Sequence, residues 1–201
     1  MQAPLSQLAA IKSGYQFRAR IEDDPTGNVA VIQVKDLGED LRLRLDGLER
    51  AQIDRAEPYL VRQGDVLFLA RGARLRAAAI EDDLRGTIAN GFFFILRPVP
   101  LVLPAFLAWS INARPFQEQL RPFVRGSHIP LVTRGDLEQI QIDVPPLETQ
   151  RLIVALDEAQ RREKYLQQVL EAKRAQLIEA VTQAAVKAEV YARAYTRNDK
   201  S

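Results

Sequence analysis

Cysteine is absent from the 201 residues, which excludes disulfides and thiolate metal sites. Histidine occurs once, at His128, too few for a histidine-based centre, so no metal is expected. No G-x-x-x-x-G-K-[ST] and no G-x-G-x-x-G stretch occurs, so a nucleotide phosphate has no cradle and no cofactor is expected. Long apolar runs are missing too. The most apolar window, residues 92–111, is interrupted by Arg97, Pro98, Pro100 and Pro104 and does not read as a membrane span. The N-terminus lacks a signal-peptide pattern, and a soluble cytoplasmic protein without membrane contact is expected. An excess of one charge is also lacking: the formal net charge is +2, and acidic and basic residues balance over residues 1–146.

Locally the balance fails. Arg62, Arg71, Arg74 and Arg76 oppose only Asp65, and Arg114, Arg121, Arg125 and Arg134 oppose only Glu118. Two basic patches on a neutral domain suit local phosphate contact, with a solvated arginine-rich surface as the plain alternative.

Glycine and proline vanish after Pro146. Pro145-Pro146 end what precedes them, and Glu148 falls in the first turn of a helix, where a carboxylate suits the dipole. Good helix formers then continue to about Lys187. Leu152, Leu156, Ala159, Glu163, Leu166, Leu170, Lys173, Leu177, Ala180 and Ala184 recur in alternating steps of four and three. That is the coiled-coil period, and Glu163 and Lys173 are the only charges on the seam. About forty residues at roughly 1.5 Å each make a rod of about 60 Å, too long to bury its seam on one small domain. The seam expects a partner helix.

The remaining residues are enough for one domain with its own core. Leu5–Ile11 reads as a short helix or strand leading into a turn at Lys12–Phe17, and Val29–Val34 as a buried strand. Leu41, Leu43 and Leu45 alternate with Arg42 and Arg44, the pattern of a half-exposed strand. Gln63-Gly64-Asp65 marks a turn before a buried strand at Val66–Ala70. Residues 77–80 and 87–96 suggest a hairpin-like pair around Asp82-Asp83. Pro104 and Pro115 suit the first turns of short helices ending at Ala113 and Phe123. Asp136 is a candidate N-cap, and Ile140–Val144 a short strand. The expected class is α+β, a mixed globular domain over residues 1–144 followed by a long coiled-coil helix over 145–190 and a polar tail over 191–201.

Catalytic constellations are weak. Asp157-Glu158-Ala159-Gln160 matches a helicase box in spelling only, and Glu171-Ala172-Lys173 half of a nuclease motif; both lie on the rod. Ser127 and His128 are adjacent, and sequence neighbours rarely serve as nucleophile and base. A non-enzyme is expected.

A set of short motifs points further. Ile11-Lys12-Ser13-Gly14-Tyr15-Gln16-Phe17 is followed by Val31–Leu37, then by Gln63–Phe68 and Ala70-Arg71-Gly72. Gly126-Ser127-His128-Ile129-Pro130, Asp136-Leu137 and Ile142–Gln150 complete the series. In this order and spacing the chain resembles one target-recognition domain and helix of the specificity subunits of type I restriction–modification systems. Members typically carry two such domains and two long helices that pair antiparallel, so that the domains read both halves of a split DNA site; here there is one of each. One of each fits a half-size subunit that dimerises, a fragment, or an adaptor that no longer reads DNA; the expectation taken from the resemblance is the half-size form, acting as a homodimer on double-stranded DNA. The resemblance also implies DNA methyltransferase (modification) subunits as partners, with room for a restriction subunit, and borrowed methylation and cleavage chemistry. By residue type, Arg71, Arg74, Arg125 and Arg134 suit phosphates, with Ser127 and His128 adding hydrogen bonds. Tyr15, Gln16, Arg18, Gln33 and Lys35 are candidates for base edges. Core packing is the alternative for Tyr15 and Phe17, and a buried hydrogen bond for Gln33. A coiled-coil adaptor that docks a methyltransferase without reading DNA is the competing function.

Overall fold

The structure of the protein, a computed structural model, describes residues 1–126 and 129–198. Met1–Ala155 form one compact unit and Leu156–Ser201 a second. In chain order the first unit holds β1 (Gln2–Pro4), α1 (Leu5–Leu8), β2 (Ala9–Ser13), β3 (Val29–Ile32), β4 (Arg50–Ala51), β5 (Val66–Leu69) and β6 (Ala77–Ala79). There follow β7 (Thr87–Ala89), β8 (Phe93–Pro98), α2 (Pro104–Asn112), α3 (Arg114–Leu120), α4 (Arg134–Glu138) and β9 (Gln141–Asp143), with α5 (Leu147–Asn198) starting here and running on. The mixture is α+β, as expected.

The continuous apolar runs became central strands because they bury both faces. Among the described residues a four-stranded antiparallel sheet has the order β2-β8-β5-β6, and a three-stranded sheet the order β4-β3-β7. Strand alternation sorts the side chains: Val66, Phe68 and Leu96 enter a core with α1 and α2, whereas Leu67, Leu69, Phe93 and Ile95 enter a second core with Ile32 and Ala89. Val29, Val31 and Ile88 form a third cluster. Asn112, at the end of α2, trades two hydrogen bonds with the backbone of Ala77 (2.7 and 2.9 Å), fixing that helix on β6. β1 pairs with β9, so the chain's start is tied to the strand that feeds α5.

Three expectations need correction. Leu41, Leu43 and Leu45 form no strand: Leu41 has a left-handed backbone (φ 63°), Leu43 makes a single bridge to Leu37, and Leu43 and Leu45 pack individually on the second core. Residues 77–80 and 87–96 form no hairpin, because β6 pairs with β5, β7 runs parallel to β3, and β8 lies between β2 and β5. Asp136 is not the N-cap of α4. Thr133 is, and Asp136 sits three residues on as its reciprocal partner in a capping box.

Beyond Ala155, α5 is a helix without glycine or proline, and as far as residue 188 its apolar side chains, among them Leu156, Leu166, Leu170 and Leu177, are exposed. It continues past Lys187 to Asn198. No helix among the described residues is long and apolar enough to cross a membrane.

Candidate nucleic-acid interface

Topology brings distant residues to one end of the sheets. β2 and β5 both run antiparallel to β8, so the segments after Ser13 and after Leu69 emerge where β8 begins. β3 and β7 are parallel and deliver Gln33 and Asn90 to the same place, where the Asn90 N–H donates to Ile32 O at 2.9 Å. Tyr15 bridges to Asn90, and the Ala70 N–H donates to Phe92 O at 2.8 Å. On the other side of Arg71, Gly72 and Val132 bond across to Pro130 and Ala70, and Leu131 exchanges two backbone hydrogen bonds with Arg125, both 2.9 Å. Segments 14–16, 90–92, 70–72 and 130–132 therefore lie side by side, with Arg125 at the rim.

Two glycines make this convergence possible. A Cβ on Gly14 would stand 2.2 Å from Asn90 O and 2.6 Å from Ala89 O, so only glycine admits that crossing. Gly126 has φ +89°, and a Cβ there would meet Ile129 O at 2.5 Å. Both belong to motifs singled out in the sequence.

The candidate residues divide by what holds them. Gln16 is exposed and donates to Gly91 O at 3.1 Å, and Arg18 is exposed. Tyr15 is half-buried, edge-on to Phe17 (4.8 Å) and Tyr59 (5.1 Å), so it packs as well as lining the edge. Gln33 donates to Glu49 at 2.6 Å, and Lys35 pairs with the same carboxylate. Lys35 and then Gln33 hold the Glu49 carboxyl below its ordinary range, Glu49 raises the Lys35 ammonium, and burial raises the neighbouring Asp36. These two donors are thus engaged by an acid.

Arg71 and Arg74 are exposed and have no ion-pair partner among the described residues. Arg125 reaches Asp136 at 3.3 Å and Arg134 reaches Glu138 at 2.6 Å, both with more than half of the side chain exposed. Arg76, from the same sequence patch, turns inward to Leu37 O at 3.0 Å. Ser127 and His128 lie outside the described residues.

Sequence reasoning missed Phe92, a residue 40% exposed with the Arg71 guanidinium 5.7 Å from its ring centre. It is the first of three phenylalanines and reads as core; the Asn90-Gly91 turn ahead of it was the available signal.

Residues 2–172 match the family model described as type I restriction modification DNA specificity domain. Among solved structures, one similar chain comes from work on complex assembly and conformational transition of the type I R-M system. It is 24% identical with a TM-score of 0.58, over 93% of this chain and 42% of that one. Another is the HsdS subunit of Thermoanaerobacter tengcongensis, 23% identical with a TM-score of 0.63, over 84% of this chain and 44% of that one. The present chain thus spans less than half the length of either, and they share its fold. No curated protein matches. With the family model covering most of its length, the chain belongs to the type I restriction modification DNA specificity domain family.

Proposed function

We propose that this chain is the sequence-recognition subunit of a type I restriction–modification or methylation complex. It binds double-stranded DNA through the end of the sheets, and two copies joined by their long helices read a split inverted-repeat site. The globular part to residue 144 does the reading. The helix dimerises and docks methyltransferase subunits, with room for a restriction subunit, and catalysis belongs to those partners, in the cytoplasm. One observation carries the reading: Gln16, Arg71 and Arg125, 109 positions apart at the extremes, reach one rim through a ladder of backbone hydrogen bonds. Exposed arginines with a glutamine amide among them combine phosphate anchoring with base-edge hydrogen bonding.

The deciding experiment is duplex binding at two salt concentrations, with and without a methyltransferase subunit. Specific reading survives salt that strips non-specific contacts. Capture of the methyltransferase with no sequence preference at either salt would overturn the reading and support a coiled-coil adaptor.

A further inference from the structure

Phe92 is pinned where an ordinary core phenylalanine would not be. Its N–H donates to the Asn90 side chain at 3.2 Å, and its carbonyl accepts from Ala70 at 2.8 Å, so the backbone has no freedom to fold the ring inward. The two cores flanking the sheet are filled by its successors, Phe93 on one face and Phe94 on the other. Phe92 belongs to neither core, and it stays 40% exposed beside Arg71. Arg71 covers part of the ring, Gln16 is anchored on the preceding Gly91, and Arg71 and Arg125 each bridge to Leu131. A single exposed ring is ordinary in itself; what singles this one out is its place on the rim proposed above, beside an Arg71 guanidinium whose charge suits a negative partner.

We propose that Phe92 is a specificity-determining residue that packs on the 5-methyl group of a thymine in the major groove, while Arg71 donates to an acceptor on the adjoining nucleotide. The inference rests on the DNA-reading function proposed above. Its chemistry follows from the pair's geometry. A guanidinium over the ring leaves less room to stack a whole base on that face, whereas the uncovered ring surface suits a small apolar group. The thymine methyl is the apolar mark of the major groove, and phenylalanine is one of the side chains that reads it. Arg71 in turn rests on the ring, and its guanidinium has no ion-pair partner among the described residues.

The test uses the full-length protein and a duplex library with a randomised core. Sequences enriched by the wild type are resynthesised with deoxyuridine replacing thymidine one position at a time, which deletes only the methyl. Burial of one methyl corresponds to about fourfold in affinity. At one thymine per half-site, the wild type should lose about that factor, and Phe92→Ala should lose nothing on the same replacement. Phe92→Leu, which keeps an apolar contact, should retain part of the discrimination; unchanged thermal unfolding of both variants checks that they fold. If every thymine-to-uracil change affects wild type and Phe92→Ala equally, the inference is overturned while DNA reading stands. If no sequence is enriched at all, both fall.

Discussion

The side-chain oxygen of Gln150 accepts the main-chain N–H of Leu103 at 2.9 Å, though the residues are 47 positions apart. Its amide nitrogen donates to Leu101 O (3.0 Å) and Pro145 O (2.9 Å), and Gln150 itself is fully buried. One side chain thus satisfies three backbone groups that no regular element reaches, where α5 begins and the chain turns into α2. A buried amide with every partner in place is stabilising, whereas its removal strands those groups. Gln150→Leu should cost about 2–4 kcal/mol, read by chemical denaturation with the single tryptophan, Trp109, as fluorophore. A midpoint equal to the wild type's would show that water replaces the amide.

Asp65 and Arg97 give a second stability test. Both carboxylate oxygens accept from Arg97, each at 2.8 Å, and one also accepts the Arg62 N–H at 3.1 Å. Asp65 is 1% exposed and sits beside the Val66–Leu96 pair, so the ion pair extends the β5–β8 ladder by one step. Arg97→Met would leave a buried carboxylate without its counter-ion and should cost about 3 kcal/mol. Equal stability of Arg97→Met and wild type in urea would count against this.

Where the sequence alone sufficed, the determining forces were local or strongly patterned. The start of α5 follows from Pro146 and Glu148, and β5 from an apolar run buried on both faces. The alternation at Leu41–Leu45 misled because a chain that pins leucines one by one through turns produces the same spacing as a strand. The partners of β7 and β8 were illegible for another reason: parallel β3–β7 pairing and the β2–β8 contact are set by long-range closure, which leaves no mark in neighbouring residues. At the site, Gln16, Arg71 and Arg125 were visible by type, but only the fold shows that they share a rim. Phe92 was hidden because its identity matches that of its buried neighbours, and only the turn at Gly91 sets its phase.

Acid should weaken the rim in a defined way. The Thr133 hydroxyl, at 2.5 Å, holds the Asp136 carboxyl below its ordinary value of 3.8; burial opposes this, and the Thr133 N–H and the Arg125 charge add to it. A folded-state pKa below the unfolded one gives stability that is present above the unfolded value and is lost as pH falls through the folded one. The melting temperature of Asp136→Asn should therefore lie below the wild type's at neutral pH and approach it as pH drops below 3.8. Parallel melting-temperature profiles for the two proteins would rule the linkage out.

Phosphate contact predicts a salt signature. Arg74 has no ion pair to lose among the described residues, so Arg74→Ala should weaken all duplexes alike and flatten the log–log salt dependence by about one contact. Arg125→Ala should do the same, less the cost of releasing Asp136 from its partner. Unaltered affinity and slope in both variants would remove the rim from the DNA-binding surface.

The helix carries its own instructions for a partner. Glu163 and Lys173 stand five residues either side of Gln168, and the seam is symmetric about that point: Leu166 with Leu170, Ala159 with Leu177, Leu156 with Ala180 and Leu152 with Ala184. In a two-fold antiparallel pair centred there, Glu163 meets the partner's Lys173 at both ends, and each outer layer sets a leucine against an alanine. That alternation of large and small is what close helix packing requires. In the single chain both charges are exposed, and each meets a glutamine of its own helix, Glu163 with Gln167 and Lys173 with Gln176. A heptad shift would face Glu163 with the partner's Leu166, leaving a charge unpaired on an apolar seam, and a parallel pair would place like charges together. In such a dimer the charged layers would select register and orientation rather than strength. Glu163→Lys alone should weaken the dimer, and adding Lys173→Glu should restore it, as sedimentation equilibrium would read. A wild type that stays monomeric without partners, or a double swap no tighter than the single, would show that this register is not the one the helix uses.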